Sequence, residues 1–237
     1  MGSHMTEKEV MALLEANRNE RGVANWERLG EETEGLGSFG IGLTQLRKLA
    51  KQVGRDHGLA LKLWEIENYD AKVLGLLIDD PKELTREQVE RQVEGVGAGM
   101  LAHVFSSCDA TLAKAPFVFG LACEWVESQD VIRKQCGYGL IYELSKKGRK
   151  KELSDEFFLG CIKRIRERFW DEDIAVRLGM GCALMGIGKR NVKLNQAALE
   201  LAIELGPIDF NEGKKGCEPF DVVKHLTSDY LRGKLGL

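Results

Sequence analysis

Arg133-Lys-Gln-Cys-Gly-Tyr-Gly-Leu-Ile-Tyr-Glu-Leu-Ser145 and Arg177-Leu-Gly-Met-Gly-Cys-Ala-Leu-Met-Gly-Ile-Gly-Lys189 superpose at a constant offset of 44 residues. In that register Arg133 matches Arg177, Gly137 matches Gly181, Leu140 matches Leu184, and the basic Lys146 matches Arg190. A tryptophan precedes each arginine, Trp125 by eight residues and Trp170 by seven, and an earlier pair, Trp64 and Lys72, keeps the spacing of eight.

A period near 40 residues built from paired helices is the mark of a HEAT-like solenoid, whose units cannot bury their apolar faces alone and stack on one another. The expected fold is therefore all-α, a HEAT-like helical repeat solenoid, with Trp64, Trp125 and Trp170 assigned to packing between repeats. At 237 residues, 43% of them hydrophobic, the chain is long enough for a continuous core. Residues 1–4 read as a cloning remnant and 5–237 as a single repeat domain, with N-terminal helices and a glycine-rich connector over 5–42 and repeats over 43–237.

Several function classes lose support at once. The longest apolar runs, such as Val73 to Ile78, fall short of the roughly 20 residues of a membrane span. The six cysteines form no C-x-x-C pair and sit in apolar helical patterns, which fits reduced, buried thiols in a cytoplasmic protein. The histidines are scattered. No metal and no cofactor is expected.

Charge is uneven along the chain. Residues 1–132 carry 14 Lys and Arg against 22 Asp and Glu, whereas 133–237 carry 20 against 15. The basic residues of the second half recur at equivalent points of successive repeats. Lys146, Lys147, Arg149, Lys150 and Lys151 follow one second helix; Lys189, Arg190 and Lys193 follow the next. Two readings stand side by side. Such clusters can line one concave edge of the superhelix and meet a phosphate backbone, or they can satisfy helix C-termini and their last carbonyls.

The helical periodicity predicts helices near 7–18, 56–66 and 69–79, an element around Trp26, a helix capped by Thr44 and ended by Gly54, and a polar helix begun by Thr85. Gly35 to Gly42 lacks the lysine and spacing of a phosphate loop and reads as a connector. Between Leu101 and Leu112 the pattern changes: His103, Ser106, Ser107, Cys108, Asp109 and Thr111 crowd polar groups into mid-chain. An inward-facing carboxylate there needs a partner or a purpose. Asp109 is the candidate, against a plainer role as a cap or turn residue.

The run from Leu43 to Ala60, followed by Leu63-Trp64, Asn68 to Lys72 and Ile78-Asp-Asp-Pro81, resembles the AlkD-type DNA alkylation repair family, and so do Trp125, the helix start at Arg133, Gly186 to Asn191 and Cys217 to Phe220. The resemblance covers nearly everything from Gly35 onward. It implies a DNA glycosylase that excises cationic N3- or N7-alkylated purines from double-stranded DNA, with Asp109 as the catalytic carboxylate. A cationic base is already a good leaving group, so one carboxylate that stabilises an oxocarbenium-like sugar suffices. Arg133, Lys134, Lys146, Lys147, Lys150, Lys189 and Arg190 are the expected DNA contacts. With the polar N-terminal helix and the closing Lys224 to Leu237 segment as end caps, the solenoid is expected to be a monomer, cytoplasmic and nucleoid-associated when bound to DNA.

The chain also departs from the family's best-known branch. Phe105 stands where that branch has a tryptophan four residues before the aspartate. Cys182 falls where a second is expected, with Trp170 a substitute in space. Either Arg133 or Lys134 meets the backbone beside the lesion. The alternatives to a divergent glycosylase are a DNA-binding module without catalysis, suited to branched or distorted duplexes, and a protein-interaction scaffold.

Overall fold

A computed structural model describes residues 5–107, 111–148, 151–210 and 218–237. Asp109 and Lys150, singled out above, lie outside the described residues. By internal packing the chain divides into two compact units, Met1–Val118 and Phe119–Leu237.

The first unit contains α1 (Glu7–Ala16), α2 (Glu20–Glu27), α3 (Leu43–Val53), α4 (His57–Trp64), α5 (Tyr69–Ile78), α6 (Arg86–Gln92) and α7 (Leu101–Ser106). Polar side chains start most of these helices: Thr6, Asn19, Asp56, Asn68 and Thr85 each accept the amide three residues on. Thr44 does not cap α3. The helix begins one residue earlier, at Leu43, with Gly42 in the cap position, and Thr44 lies within its first turn. Gly54 ends it with φ 82°, a left-handed conformation that suits glycine.

The centre of this unit is α5, which buries Ala71, Val73, Leu74, Leu76 and Ile78 and packs against α3, α4 and α7. A fully buried carboxylate, Asp70, organises the glycine-rich connector. It accepts from Ser38 Oγ at 2.7 Å, from the Phe39 amide at 2.7 Å and from the Ile41 amide at 3.0 Å. The connector is thus a packed strap.

A second buried carboxylate, Asp79, closes the corner after α5. Its oxygens meet His57 Nδ1 at 2.6 Å, the Asp80 amide at 2.7 Å and Gln88 Nε2 at 2.8 Å. Its own carbonyl accepts from Arg55 and Thr111.

The second unit begins within α8 (Val118–Trp125) and continues through α9 (Val131–Ser145), α10 (Asp155–Arg168), α11 (Ile174–Gly188), α12 (Val192–Leu205), α13 (Val222–Leu226) and α14 (Asp229–Leu235). The two repeated segments become α9 and α11, which pack along each other. Glycine makes their close approach possible: a Cβ on Gly179 would lie 3.1 Å from the Gln135 carbonyl oxygen, and one on Gly186 would lie 2.3 Å from Ser145 Oγ. Burial pushes the Cys161 thiol of α10 up to about 12.

The tryptophan–cation spacing proves to be a corner lock. Lys72 Nζ donates to the Trp64 carbonyl and lies 4.5 Å from the ring centroid. Arg177 donates to the carbonyls of Phe169 at 2.9 Å and Trp170 at 2.7 Å. Each cation closes the chain end that precedes its helix. Trp64 and Trp125 are buried as expected, but Trp170 is 62% exposed, so its assignment to the inter-repeat core is corrected. Phe169 takes that buried place instead.

Candidate nucleic-acid interface

The ends of α9 and α11 place their following residues around one groove of about 830 Å³ in the second unit. Lys146 and Lys147 come from the end of α9, Lys189 and Arg190 from the end of α11, Lys151 from the next turn, and Lys234 from α14. The starts of α10 and α12 open on the same groove, through Ser154 and Asn191. Helix starts carry partial positive charge, so these elements act in the same sense as the lysines. Asp155 and Glu156 also line the groove, but Asp155 accepts from Asn191 Nδ2 at 2.9 Å and Glu156 faces Lys193 at 3.9 Å.

The six cations do different work. Arg190 holds the fold: Nη1 donates to the carbonyls of Ser145 at 2.5 Å and Lys147 at 2.9 Å, and the guanidinium lies 4.4 Å from the centroid of the Phe158 ring. The reading of these residues as satisfying helix C-termini therefore describes Arg190 well. Lys146 sits 2.6 Å from Glu143 and 4.1 Å from the Tyr142 centroid. Burial disfavours its charge, but the hydrogen bond and charge of Glu143 hold its pKa above the usual lysine range. Lys189 is different. Burial, then the charges of Lys146 and Lys234, hold its pKa below the usual range, and it makes no ion pair among the described residues. Like charges so disposed gain when an anion enters between them.

The structure brings together Lys146, Lys147, Lys189 and Arg190 from the sequence-derived set and places Arg133 and Lys134 elsewhere. Those two occupy the first turn of α9, about 18 Å along the helix from Lys146 at 1.5 Å per residue. Lys134 Nζ pairs with Glu172 at 2.5 Å. Arg133 lies 3.8 Å from Asp130.

Phe105, in the first unit, is 1% exposed, so its ring offers no open face. Cys182 is half-buried in the middle of α11. Trp170 alone of the three presents an open aromatic surface, with Arg177 5.5 Å from its centroid. Sequence reasoning missed Lys234, although it lies 44 residues beyond Arg190, the same offset that relates Lys146 to Arg190, on the short closing helix α14. No described helix is long and apolar enough to cross a membrane. No group of three or more His, Cys, Asp or Glu that could hold a metal occurs among the described residues.

Comparison with known proteins agrees with this architecture. A family model described as DNA alkylation repair enzyme matches residues 10–212. The uncharacterised protein Lin0241 of Listeria innocua is 25% identical over 201 residues, covering 81% of this chain and 84% of the relative. Lmo0209 of Listeria monocytogenes, also uncharacterised, is 25% identical over 209 residues, covering 85% and 87%. A solved structure with TM-score 0.80 and 23% identity covers 98% of this chain and 97% of its own. It represents a family described as related to the HEAT-like repeat DNA glycosylases with affinity for branched DNA structures. The fold is that of the HEAT-like repeat proteins.

Proposed function

The chain belongs to the DNA alkylation repair enzyme family, and from that premise we propose that it binds DNA by the phosphate backbone, through the basic groove of the second unit. The observation that carries this reading is Lys189, half-buried beside Lys146 and Lys234 with no carboxylate partner among the described residues. A backbone phosphate entering the groove would supply the missing negative charge, and the starts of α10 and α12 would add amide dipoles. Contacts of this kind read no sequence. Branched DNA, the ligand described for the family of the structural neighbour, is the first structured substrate to compare with linear duplex. The test is equilibrium binding of both across a salt series. Affinity falling steeply with salt supports the reading, and salt-insensitive or absent binding removes it.

Excision of cationic N3- or N7-alkylpurines is the finer, second reading, with Asp109 as the carboxylate that stabilises the developing sugar cation. Trp170 favours it: an exposed indole at the same end of the α9–α11 pair as Arg133 can meet a cationic base through its face. Release of methylated bases from alkylated duplex, lost in Asp109→Asn while binding persists, is the result this reading requires. No release by the native protein would leave the binding function alone.

A further inference from the structure

The first unit carries 14 Lys and Arg against 19 Asp and Glu, yet its fold gathers four cations around one pocket. Arg47 and Lys51 lie a turn apart on α3, Arg55 follows just beyond Gly54, and Lys114 faces the same opening of about 380 Å³. Leu77 and Ile78 of α5 line it as well, and no Asp or Glu among the described residues does.

Helix ends account for part of this cluster. Lys51 stands in the last turn of α3, and Arg55 donates to the Asp79 carbonyl that follows α5. Neither reason applies to Lys114, which comes from a different segment and is exposed. Arg47 and Lys51 stand one helical turn, about 5.4 Å, apart on α3, and Arg55 joins them at the same opening beyond the Gly54 that ends the helix. Cations from separate points of one opening can engage phosphates of one strand.

We infer that this pocket is a second phosphate-binding surface for DNA, owned by the otherwise acidic first unit. The inference rests on the DNA-binding reading above. The acidic surroundings narrow the contact to this patch. Phosphodiester is the ligand chemistry, and inorganic phosphate is the small-anion alternative to be separated from it.

The experiment is duplex binding by the full chain across a salt series, with Lys51→Gln/Lys114→Gln compared with Lys8→Gln/Lys62→Gln. Both pairs of lysines are exposed and both changes remove the same charge from the first unit, so folding and net charge are matched. Each lost phosphate contact lowers the slope of log affinity against log salt by about 0.9. The expected result is a slope shallower by about 2 and weaker binding for the pocket variant, with the control unchanged. A pocket variant that keeps the native slope, or a control that loses as much, overturns the inference and leaves the groove of the second unit intact. If millimolar inorganic phosphate occupies the pocket, seen as shifts of the Lys51 and Lys114 resonances, while the DNA slope is native, the site takes small anions and the inference also fails. If the native protein binds no duplex at all, this inference and the DNA-binding reading fall together.

Discussion

Lys134 and Glu172 form an ion pair at 2.5 Å with 14% and 9% of their side chains exposed, tying the first turn of α9 to the segment just after Trp170. The pair engages the charge of Lys134. Removing one partner of a nearly buried pair strands the other in poor solvent. Lys134→Met should cost about 3 kcal/mol, near the lower end for such pairs. The double change Lys134→Met/Glu172→Met should recover most of that loss. Urea denaturation of the native protein, Lys134→Met, Glu172→Met and the double variant measures both numbers, and additive losses would show that the two residues do not interact.

Arg190 is expected to act on stability more than on binding. Its guanidinium serves the carbonyls of Ser145 and Lys147 and stacks on Phe158. Arg190→Ala should lower stability by about 2 kcal/mol, from charge-assisted hydrogen bonds lost to buried acceptors. Arg190→Lys should rescue little, because an ammonium lacks the planar fork. Thermal melting checks the order of the two variants, and a fully stable lysine variant would contradict it.

Asp70 fixes the glycine-rich strap by three hydrogen bonds. Asp70→Ala leaves the Phe39 and Ile41 amides without their acceptor and should cost about 3 kcal/mol. Hydrogen exchange at those two amides should rise well before global unfolding. Unchanged protection there would mean that the strap is held by other contacts.

Lys189 sets a pH dependence whose sign follows from its lowered pKa. In the free protein its charge is lost as pH rises through the lowered pKa, below the ordinary lysine value of 10.5. Bound phosphate favours the charged form, so binding should be strongest below this range and weaken as pH climbs through it. Stability takes the opposite course: the cost of holding the charge is full at lower pH and is relieved as the residue deprotonates. Lys189→Gln should flatten this part of the binding profile, measured by duplex titration from neutral pH to about pH 10.

Much of the fold was legible in the sequence because packing imposes periodicity. The offset between Arg133 and Arg177 marks α9 and α11, and Gly179 and Gly186 are glycines because the helices touch at those points. The tryptophan–cation spacing was also legible, though its meaning was not. It records a hydrogen bond from the cation to a chain-end carbonyl, a bond that holds whether the indole is buried, as at Trp64, or exposed, as at Trp170. The start of α3 was misread because Thr44 has the chemistry of a cap, whereas Gly42 holds the position by backbone conformation alone.

The site was read in part. Lys146, Lys147 and Lys189 follow the repeat and so could be grouped from spacing; Lys234 keeps the 44-residue offset from Arg190 too, but its short closing helix carries none of the glycine and leucine pattern that marks α9 and α11. The cations around the first unit's pocket were hidden by the acidic sum of that half, because net charge carries no information on where each sign sits. Phe105 was placed by a register against family tryptophans, and a register does not show which way a ring points.

The most direct test of DNA binding through the groove is the salt slope of duplex affinity for the native protein beside Lys146→Gln/Lys189→Gln. The account predicts steep salt dependence in the native protein and, in the folded double variant, a slope shallower by about 2 with clearly weaker binding. A double variant that binds with native affinity and native slope would contradict it.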